Sequence, residues 1–240
     1  LHARRPMNLE TISLGRLALA FLPVFVVIGI FWHWHVGAGK ASWSVLRMLV
    51  QLLLIGFVLV YIFDAESSAI VLAVIIIMTV VSAWIALNTV PDQRGDLYLL
   101  SLASISLGGG ISLALMTQWV LQLDRWFEPR FIIPLAGMTF ANAMTSVSIA
   151  AERYQAELDS GHDALAARNT AFQAGMIPVI NAMFAVGLVS LPGMMTGQIL
   201  SGVSPFIAAR YQIMVMCLIF ASAGLSTALF LVLYLRRGVR

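Results

Sequence analysis

The longest polar stretch of the sequence, residues 152–175, gathers side chains suited to charged contacts with a partner. Its ionisable members are Glu152, Arg153, Glu157, Asp159, His162, Asp163 and Arg168. Within it, Ser160, Gly161 and Asp163 predict a helix start, because Ser160 can accept a backbone N–H and Asp163 favours the positive end of the helix dipole. We therefore expect a short helix at about residues 162–173, ended by Gly175 and Pro178.

This short helix would present a small mixed surface. Leu165 and Phe172 are seven residues apart and share one helix face, with Asn169 between them. The spacing fits a docking element for a cytoplasmic partner, and it fits equally an amphipathic helix that rests on the bilayer surface. The candidate docking residues are Asp163, Leu165, Arg168, Asn169 and Phe172.

A second unusual segment, residues 191–198, interrupts an apolar run with a proline and two glycines. Proline removes a backbone hydrogen bond, which hydrocarbon tolerates only where neighbouring helices, side chains or water satisfy the freed carbonyl. The segment is thus a candidate pathway or hinge, although Gly193 and Gly197 also form a pair that suits close helix packing. Its candidate residues are Pro192, Gly193, Met194, Met195, Gly197 and Gln198.

Amide side chains also occur inside apolar runs, where an unpaired polar group is costly and usually faces other helices. They are Gln51, Asn142, Asn181, Gln198 and Gln212. Interhelical hydrogen bonding explains them, and Asn142 and Asn181 are further candidates for a pathway or hinge.

No metal-binding set can be assigned from the sequence. His33 and His35 are two residues apart and point to different sides of a helix, which argues against a chelate. The only cysteine, Cys217, lies in an apolar run, so it forms neither a disulfide within the chain nor a cysteine cluster. Several methionines could offer soft ligands or simply fill gaps in packing, namely Met138, Met144, Met183, Met194 and Met195.

Recognisable catalytic motifs are missing from the sequence. The only lysine, Lys40, follows Gly39, but Ala41 and Trp34 stand where a phosphate-binding loop needs a hydroxyl residue and its first glycine. Neither a Gly-x-Ser-x-Gly elbow nor a His-Glu-x-x-His helix occurs. We therefore expect no enzyme and no ATP hydrolysis by this chain.

The elements that position these residues are apolar helices. Hydrophobic residues make up 60% of the 240-residue chain and charged residues only 10%, whereas soluble domains carry about 25% charged residues. Apolar runs close to the roughly 20 residues that cross a bilayer predict an all-α integral membrane protein with about seven spans. The predicted spans are residues 9–32, 45–63, 67–87, 97–121, 131–151, 176–202 and 206–235. A separate N-terminal segment, residues 1–8, precedes this single domain of residues 9–240.

The distribution of arginine and lysine predicts the orientation, because short cytoplasmic loops are enriched in both. Placing the C-terminus in the cytoplasm and the N-terminus outside assigns more of these residues to the cytoplasmic side. That side then holds Lys40, Arg47, Arg94, Arg153, Arg168, Arg236, Arg237 and Arg240.

Three segments of the sequence closely resemble the FetB-like permeases of bacterial ATP-binding-cassette transporters, whose relatives include plant proteins of aluminium tolerance. They are residues 39–56, residues 129–144 and, most specifically, residues 177–213 with Ile177-Pro178, Asn181, the run from Val186 to Leu200 and Ala209-Arg210-Tyr211-Gln212-Ile213. Within residues 152–175, Ala164-Leu165-Ala166 and Thr170 match the usual pattern of the family, whereas Arg168-Asn169 and Ala171 depart from it.

The resemblance implies a transmembrane permease subunit that pairs with itself and with a separate ATPase, and that exports iron or a related metal from the cytoplasm. It places a coupling helix in residues 152–175, between the fifth and sixth spans. ATP and magnesium would bind the ATPase and no cofactor would bind this chain, which would lie in the bacterial cytoplasmic (inner) membrane. We expect lipid around it and no nucleic-acid partner. An ATP-independent secondary carrier or channel is the alternative function.

Overall fold

The computed structural model describes residues 12–63 and 67–238, which form helices joined by short connections. The predicted N-terminal segment, the first residues of the first predicted span and residues 64–66 lie outside this part of the chain. The fold divides between residues 61 and 62 into two compact units.

The part of the N-terminal unit that the structure describes forms three helices. Helix α1 spans Leu14–Leu19, α2 spans Leu22–His33 and α3 spans Ala38–Phe63, with its last two residues beyond the unit boundary. The Ser13 side chain accepts a hydrogen bond from the Arg16 backbone N–H at 3.4 Å, which starts α1. Together α1 and α2 provide one apolar stretch long enough to cross a membrane, and α3 provides another.

The described residues of the C-terminal unit form six α-helices. They are α4 (Ser68–Ala86), α5 (Arg94–Leu115), α6 (Pro129–Asp159), α7 (Ala164–Ala185), α8 (Gly193–Leu200) and α9 (Pro205–Gly238). Helix α5 continues into a π-helical turn over Met116–Val120. No strand occurs in the described ranges, so this is an all-α membrane protein.

Helix α9 is the centre of the C-terminal unit, because it packs against α5, α6, α7 and α8. Its buried side chains include Leu218, Phe230 and Leu231. Small residues allow the helices to approach closely: a Cβ atom added to Gly108 of α5 would lie 2.5 Å from the backbone nitrogen of Ser226 in α9. Packing of this kind drives helix association in membranes, where lipid tails are as apolar as the side chains.

Hydrogen bonds tie the ends of three helices together at what we call the polar end. The Tyr234 hydroxyl of α9 lies within hydrogen-bond distance of the side-chain oxygens of Gln93 and Gln155, the latter at 2.8 Å. The Gln93 amide also donates to Gln155 at 2.8 Å. Beside them, Arg237 pairs with Asp96 at the start of α5. The start of α5 and the carboxyl ends of α6 and α9 therefore meet at the polar end.

This arrangement fixes the path of α7. The chain leaves α6 at the polar end and enters α9 at the opposite end, which we call the far end. The 22 residues of α7 extend about 33 Å at 1.5 Å per residue, close to the roughly 30 Å thickness of the bilayer hydrocarbon. Helix α7 therefore carries the chain from the polar end to the far end.

A tight corner of four residues joins α6 to α7. The N–H of Gly161 donates to the Leu158 carbonyl and that of His162 donates to the Glu157 carbonyl, at 2.9 and 3.1 Å. This is the Schellman pattern of a helix end, and Gly161 adopts the positive φ of 81° that it requires. Asp163 then accepts the backbone N–H groups of Leu165 and Ala166, at 3.0 and 3.3 Å, and starts α7.

The corner corrects three predictions from the sequence. Ser160 ends α6 and does not start the next helix: its hydroxyl donates to the Ala156 carbonyl at 2.8 Å. The helix expected at residues 162–173 is not a separate short element, because α7 passes through Gly175 and Pro178 and ends at Ala185. Residues 152–175 are thus the end of α6, the corner and the first half of α7.

Residues 176–202, the sixth predicted span, do not form one apolar span. Those residues form the second half of α7, a loop over residues 186–192, and α8. Among the described residues six stretches are long and apolar enough to cross a membrane, and they correspond to the other six predicted spans. Helix α7 is not among these six stretches, so a count of seven apolar spans is not confirmed.

Helix α7 approaches its neighbours most closely at Gly175. A Cβ atom added there would lie 2.7 Å from the Ser146 carbonyl oxygen of α6 and 3.4 Å from a methyl carbon of Thr227 in α9. Real Cβ atoms essentially never approach a backbone atom so closely. Only glycine therefore allows α7 to lie against both helices.

We predict that Gly175→Val lowers the unfolding temperature of the protein in detergent, because the added carbons push α7 away from the α6 backbone. Overpacking of this kind costs about 1–3 kcal/mol. The matched control is Gly197→Val in α8, where an added Cβ meets no atom within 4 Å. Equal unfolding temperatures for the two variants would contradict the close contact at Gly175.

We further predict that Tyr234→Phe destabilises the protein by about 1 kcal/mol, the usual contribution of a hydrogen bond, since it removes the hydroxyl shared by Gln93 and Gln155. Thermal unfolding in detergent measures this. Tyr211→Phe is the control, because the Tyr211 hydroxyl has no hydrogen bond to the part of the chain that the structure describes. A destabilisation no greater than that of the control would show that the polar end is not held by Tyr234.

Candidate functional site: the corner between α6 and α7, and the broken helix

Basic side chains of the C-terminal unit sort between its two ends. Those at the polar end are Arg94, Arg153, Arg168, Arg236 and Arg237, and those at the far end are Arg125, Arg130 and Arg210. The predicted orientation places the first group on the cytoplasmic side and the second group on the opposite side. The assignment of the polar end to the cytoplasm stays a prediction.

The exposed residues at the start of α7, which we call the tip of the corner, include both apolar and polar side chains. Leu165 in the first turn of α7 is 53% exposed, and Ala166 and Asn169 beside it are exposed as well. The Arg168 guanidinium donates to the Asn169 side-chain oxygen at 2.9 and 3.2 Å, which orders both side chains. An apolar side chain held at an exposed helix start, next to an amide and a cation, can pack into a shallow pocket on a partner.

An ion-pair cluster holds the other side of the corner. The Glu157 side chain is almost buried and pairs with Arg153 one turn earlier on α6. Its second oxygen lies 2.9 Å from Nδ1 of His162 in the corner. The carboxylate therefore links the last turns of α6 to the connection, and the tip is attached to the bundle through side chains as well as backbone.

A groove opens beside the tip, between α7 and α9. It encloses about 420 Å³ and is lined by Arg168, Asn169, Phe172, Gln173, Ala228, Leu231 and Val232. Phe172 is half-buried and packs against the core with Met176 and Val179 of its own helix and Ala223 of α9. The groove has an apolar floor and a polar rim at the polar end.

The five predicted docking residues therefore divide into two sets. Asp163 caps α7, while Leu165, Arg168 and Asn169 lie at or beside the exposed tip. Phe172 shares the angular position of Leu165 but lies two turns further along α7, where α9 covers it. A partner that meets the corner from outside the membrane therefore meets Leu165 before Phe172.

The break between α7 and α8 is a compact loop. The carbonyl oxygen of Ala185 accepts hydrogen bonds from the N–H groups of Leu188, Val189 and Ser190, at 3.2, 2.8 and 3.1 Å. Pro192 precedes the first turn of α8 and accepts from the Thr196 hydroxyl at 3.1 Å. Pro192 thus begins a helix and does not kink one, and the loop satisfies much of its own backbone.

The predicted pathway or hinge residues lie on three helices and are not brought together by hydrogen bonds. Asn142 on α6 donates to the Met138 carbonyl of its own helix at 2.8 Å, and Asn181 on α7 is exposed. On α8, Met194 packs against the core, whereas Gly193 and Gly197 face open space. The side-chain oxygen of Gln198 is buried without a hydrogen-bond partner, and Met195 is half-buried.

No metal centre can be assigned in the described ranges, where no three His, Cys, Asp or Glu side chains gather closely enough to hold an ion. His35 lies in the turn between α2 and α3, and its backbone φ is 57°.

Sequence reasoning missed the side chains that hold the polar end. Tyr234 bonds to Gln93, which lies 141 residues earlier in the chain, and to Gln155, 79 residues earlier. No local spacing relates such positions. Gly175 was also missed as a packing residue, although Ala167, Ala171, Gly175 and Val179 recur every four residues, as a helix face with small side chains requires.

The sequence matches the family described as "Uncharacterised protein family (UPF0014)" over residues 14–168 and 162–238. A UPF0014 membrane protein of Synechocystis is 34% identical over 79% of this chain and 79% of its own length. The "Probable iron export permease protein FetB" of Escherichia coli is 33% identical over 92% of this chain and 90% of its own length.

A plant protein is similar to a comparable extent. "Protein ALUMINUM SENSITIVE 3" of Arabidopsis thaliana is 32% identical over 79% of this chain and 73% of its own length. No solved structure matches the chain. Because the family match covers nearly all of the helices described above, the chain belongs to the UPF0014 family of membrane proteins.

Proposed function

We propose that this chain is the membrane-spanning permease subunit of an ATP-binding-cassette transporter that exports iron or a related metal. The observation that carries the proposal is the corner between α6 and α7, which presents the exposed Leu165 and Asn169 beyond a bundle of membrane helices. Its similarity to a protein named as a probable iron export permease supports the transport role and the metal.

In this proposal a separate ATPase docks on the tip of the corner at the cytoplasmic face. The four-residue connection, the Asp163 cap and the Glu157 cluster make the tip move together with α6 and α7. Movement of α7 passes through the loop at residues 186–192 to α8. Docking changes access across the membrane to the extent that the ATPase binds one arrangement of these helices better than the other.

The chemistry of ATP hydrolysis belongs to the partner in this scheme. ATP and magnesium bind the ATPase, and the permease contributes helices and no nucleotide site. Two permease copies and two ATPase copies would form the transporter in the bacterial cytoplasmic membrane, with the N-terminus of the chain outside and the C-terminus in the cytoplasm.

In this proposal the metal is cargo that crosses the membrane. Helix α8 offers groups for weak, transient contacts, namely the thioethers of Met194 and Met195 and the orphaned side-chain oxygen of Gln198. Weak sites suit a substrate that must leave as well as enter.

A secondary carrier that needs no ATPase is the rival function, since helices broken in the membrane are typical of such carriers. Carriers coupled to ions commonly hold acidic groups within the membrane. The carboxylates of the described residues instead lie at helix ends or in connections: Asp92, Asp96, Asp124, Glu128, Glu152, Glu157, Asp159 and Asp163. Their positions favour the ATP-driven function.

We predict that Leu165→Asp abolishes ATPase docking without unfolding the permease. A carboxylate buried without a partner at an interface costs several kcal/mol, enough to weaken binding about a hundredfold or more. Binding of the purified ATP-binding-cassette ATPase encoded beside this chain, and stimulation of its ATP hydrolysis, measure the effect. Ala156→Asp is the control, because it adds the same charge at an exposed position of α6 near the same end.

Normal binding and stimulation by the Leu165→Asp variant would contradict docking at the corner. An equal loss in both variants would show that the added charge, and not the tip of α7, is responsible.

We also predict that Gly193→Leu reduces ATP-driven transport while the unfolding temperature stays close to that of the parent protein. An added Cβ at Gly193 meets no atom within 4 Å, so the fold accommodates it, but the larger side chain hinders movement of α8. Metal flux into proteoliposomes and thermal unfolding are measured on the same preparation. Unchanged flux would show that α8 does not move during transport.

A further inference from the structure

Helix α7 presents a row of amides on its exposed side, which we call the amide stripe: Asn169, Gln173, Ile177, Asn181 and Phe184. All five are exposed, and steps of four and three residues keep them on one side of the helix. The buried side, Ala167, Ala171, Gly175 and Val179, lies roughly opposite.

Rotation of α7 cannot turn the amides inward. Gly175 lies against the α6 backbone so closely that an added Cβ would be 2.7 Å from the Ser146 carbonyl oxygen. Gly175 is the only glycine of α7. If α7 were rotated about its axis, a residue with a side chain would therefore take the place of Gly175 against the α6 backbone. The packing of α6 and α9 therefore fixes the direction in which Gln173 and Asn181 point.

An amide that faces lipid is unfavourable, because hydrocarbon provides no hydrogen-bond partner. Gln173 and Asn181 make no hydrogen bond to any described residue of the C-terminal unit. Pro178 adds a further polar group, because it has no N–H to donate to the Ala174 carbonyl one turn earlier. Since α7 connects the polar end to the far end, these groups lie at membrane depth and require a polar partner there.

We infer that a second copy of this chain packs against the amide stripe, with the α7 helices of the two copies side by side. The inference rests on the proposed function, which pairs two permease copies, and it names the surface through which they pair. Two copies inserted in the same orientation are related by an axis along the membrane normal. Residues at the same depth, such as Asn181 and its counterpart, then face each other.

The chemistry of the stripe suits contact with itself. An amide is both donor and acceptor, so Asn181 and Gln173 can each bond to the same residue of the other copy. The stripe carries no ionised side chain, so the two copies meet without repulsion between like charges. An isologous interface needs just such a self-complementary patch.

The N-terminal helices of the same chain match the stripe less well. Helix α2 has no amide, and α3 has one, Gln51. Gln173 and Asn181 are eight residues apart, about 12 Å along α7, so a single Gln51 cannot bond to both. A second copy supplies both partners at the correct depths.

Disulfide cross-linking in membranes tests this inference without the ATPase. Because Cys217 is the only cysteine, a Cys217→Ser background has no native thiol. Single cysteines are then introduced as Ile177→Cys, Asn181→Cys and Phe184→Cys, and the membranes are oxidised with copper phenanthroline. The controls are Val179→Cys on the buried side of α7 and Ile111→Cys on the exposed side of α5.

We expect the stripe variants, Asn181→Cys above all, to shift from monomer to twice the monomer mass on non-reducing gels, and the two controls to stay monomeric. Replacing Asn181 with Leu should weaken association roughly 3- to 20-fold, as expected for loss of an interhelical hydrogen bond in a membrane. Förster transfer between labelled copies in liposomes measures that change.

Two results would overturn the inference. One is the absence of a dimer band for every stripe variant. The other is a Gln51→Cys/Asn181→Cys double variant that links within one chain, which would show that α3 covers the stripe. Neither result bears on ATPase binding to the corner, so failure here is distinct from failure of the proposed function.

Discussion

The approach of α7 to the backbone of α6 at Gly175 is the constraint on which the arrangement of the C-terminal unit depends. It sets how closely α7 lies against α6 and α9, and it sets the rotation of α7 about its own axis. That rotation places Leu165 and Asn169 on the outside of the corner and Gln173 and Asn181 on the outside of the bundle. One close contact therefore determines two surfaces, one beyond the membrane and one within it.

The polar end completes this constraint by tying together elements that are distant in the sequence. Tyr234 joins α9 to the start of α5 and the end of α6, and Glu157 joins α6 to the corner. In the proposed function, a partner that docks on Leu165 would therefore act on several helices at once and not on one helix that can tilt alone. At the other end of α7, the loop before Pro192 and the open space around Gly193 leave α8 with fewer contacts. In the proposed orientation, the corner between α6 and α7 is held by several contacts on the cytoplasmic side, and α8 is held by fewer contacts on the opposite side.

Much of the membrane fold could be predicted because span length and apolarity determine it directly. Six of the predicted spans correspond to observed apolar helices, whereas the sixth predicted span is divided between the second half of α7, a loop and α8. Pro178 was interpreted as a helix end, but its missing N–H removes only one bond and the packing of Gly175 and Val179 holds the helix through it. A helix start near Asp163 was predicted, and Asp163 caps α7. The burial of Phe172 could not be predicted, because its spacing gives the helix face but not the distance at which α9 covers that face.

The most direct test of the central claim is transport by the purified chain in liposomes that contain iron, with and without the ATPase encoded beside it. We predict iron flux only when the ATPase and ATP are both present, and ATP hydrolysis that requires both proteins. Iron flux driven by an ion gradient with this chain alone, together with no binding of the ATPase, would contradict the account and establish a secondary carrier instead.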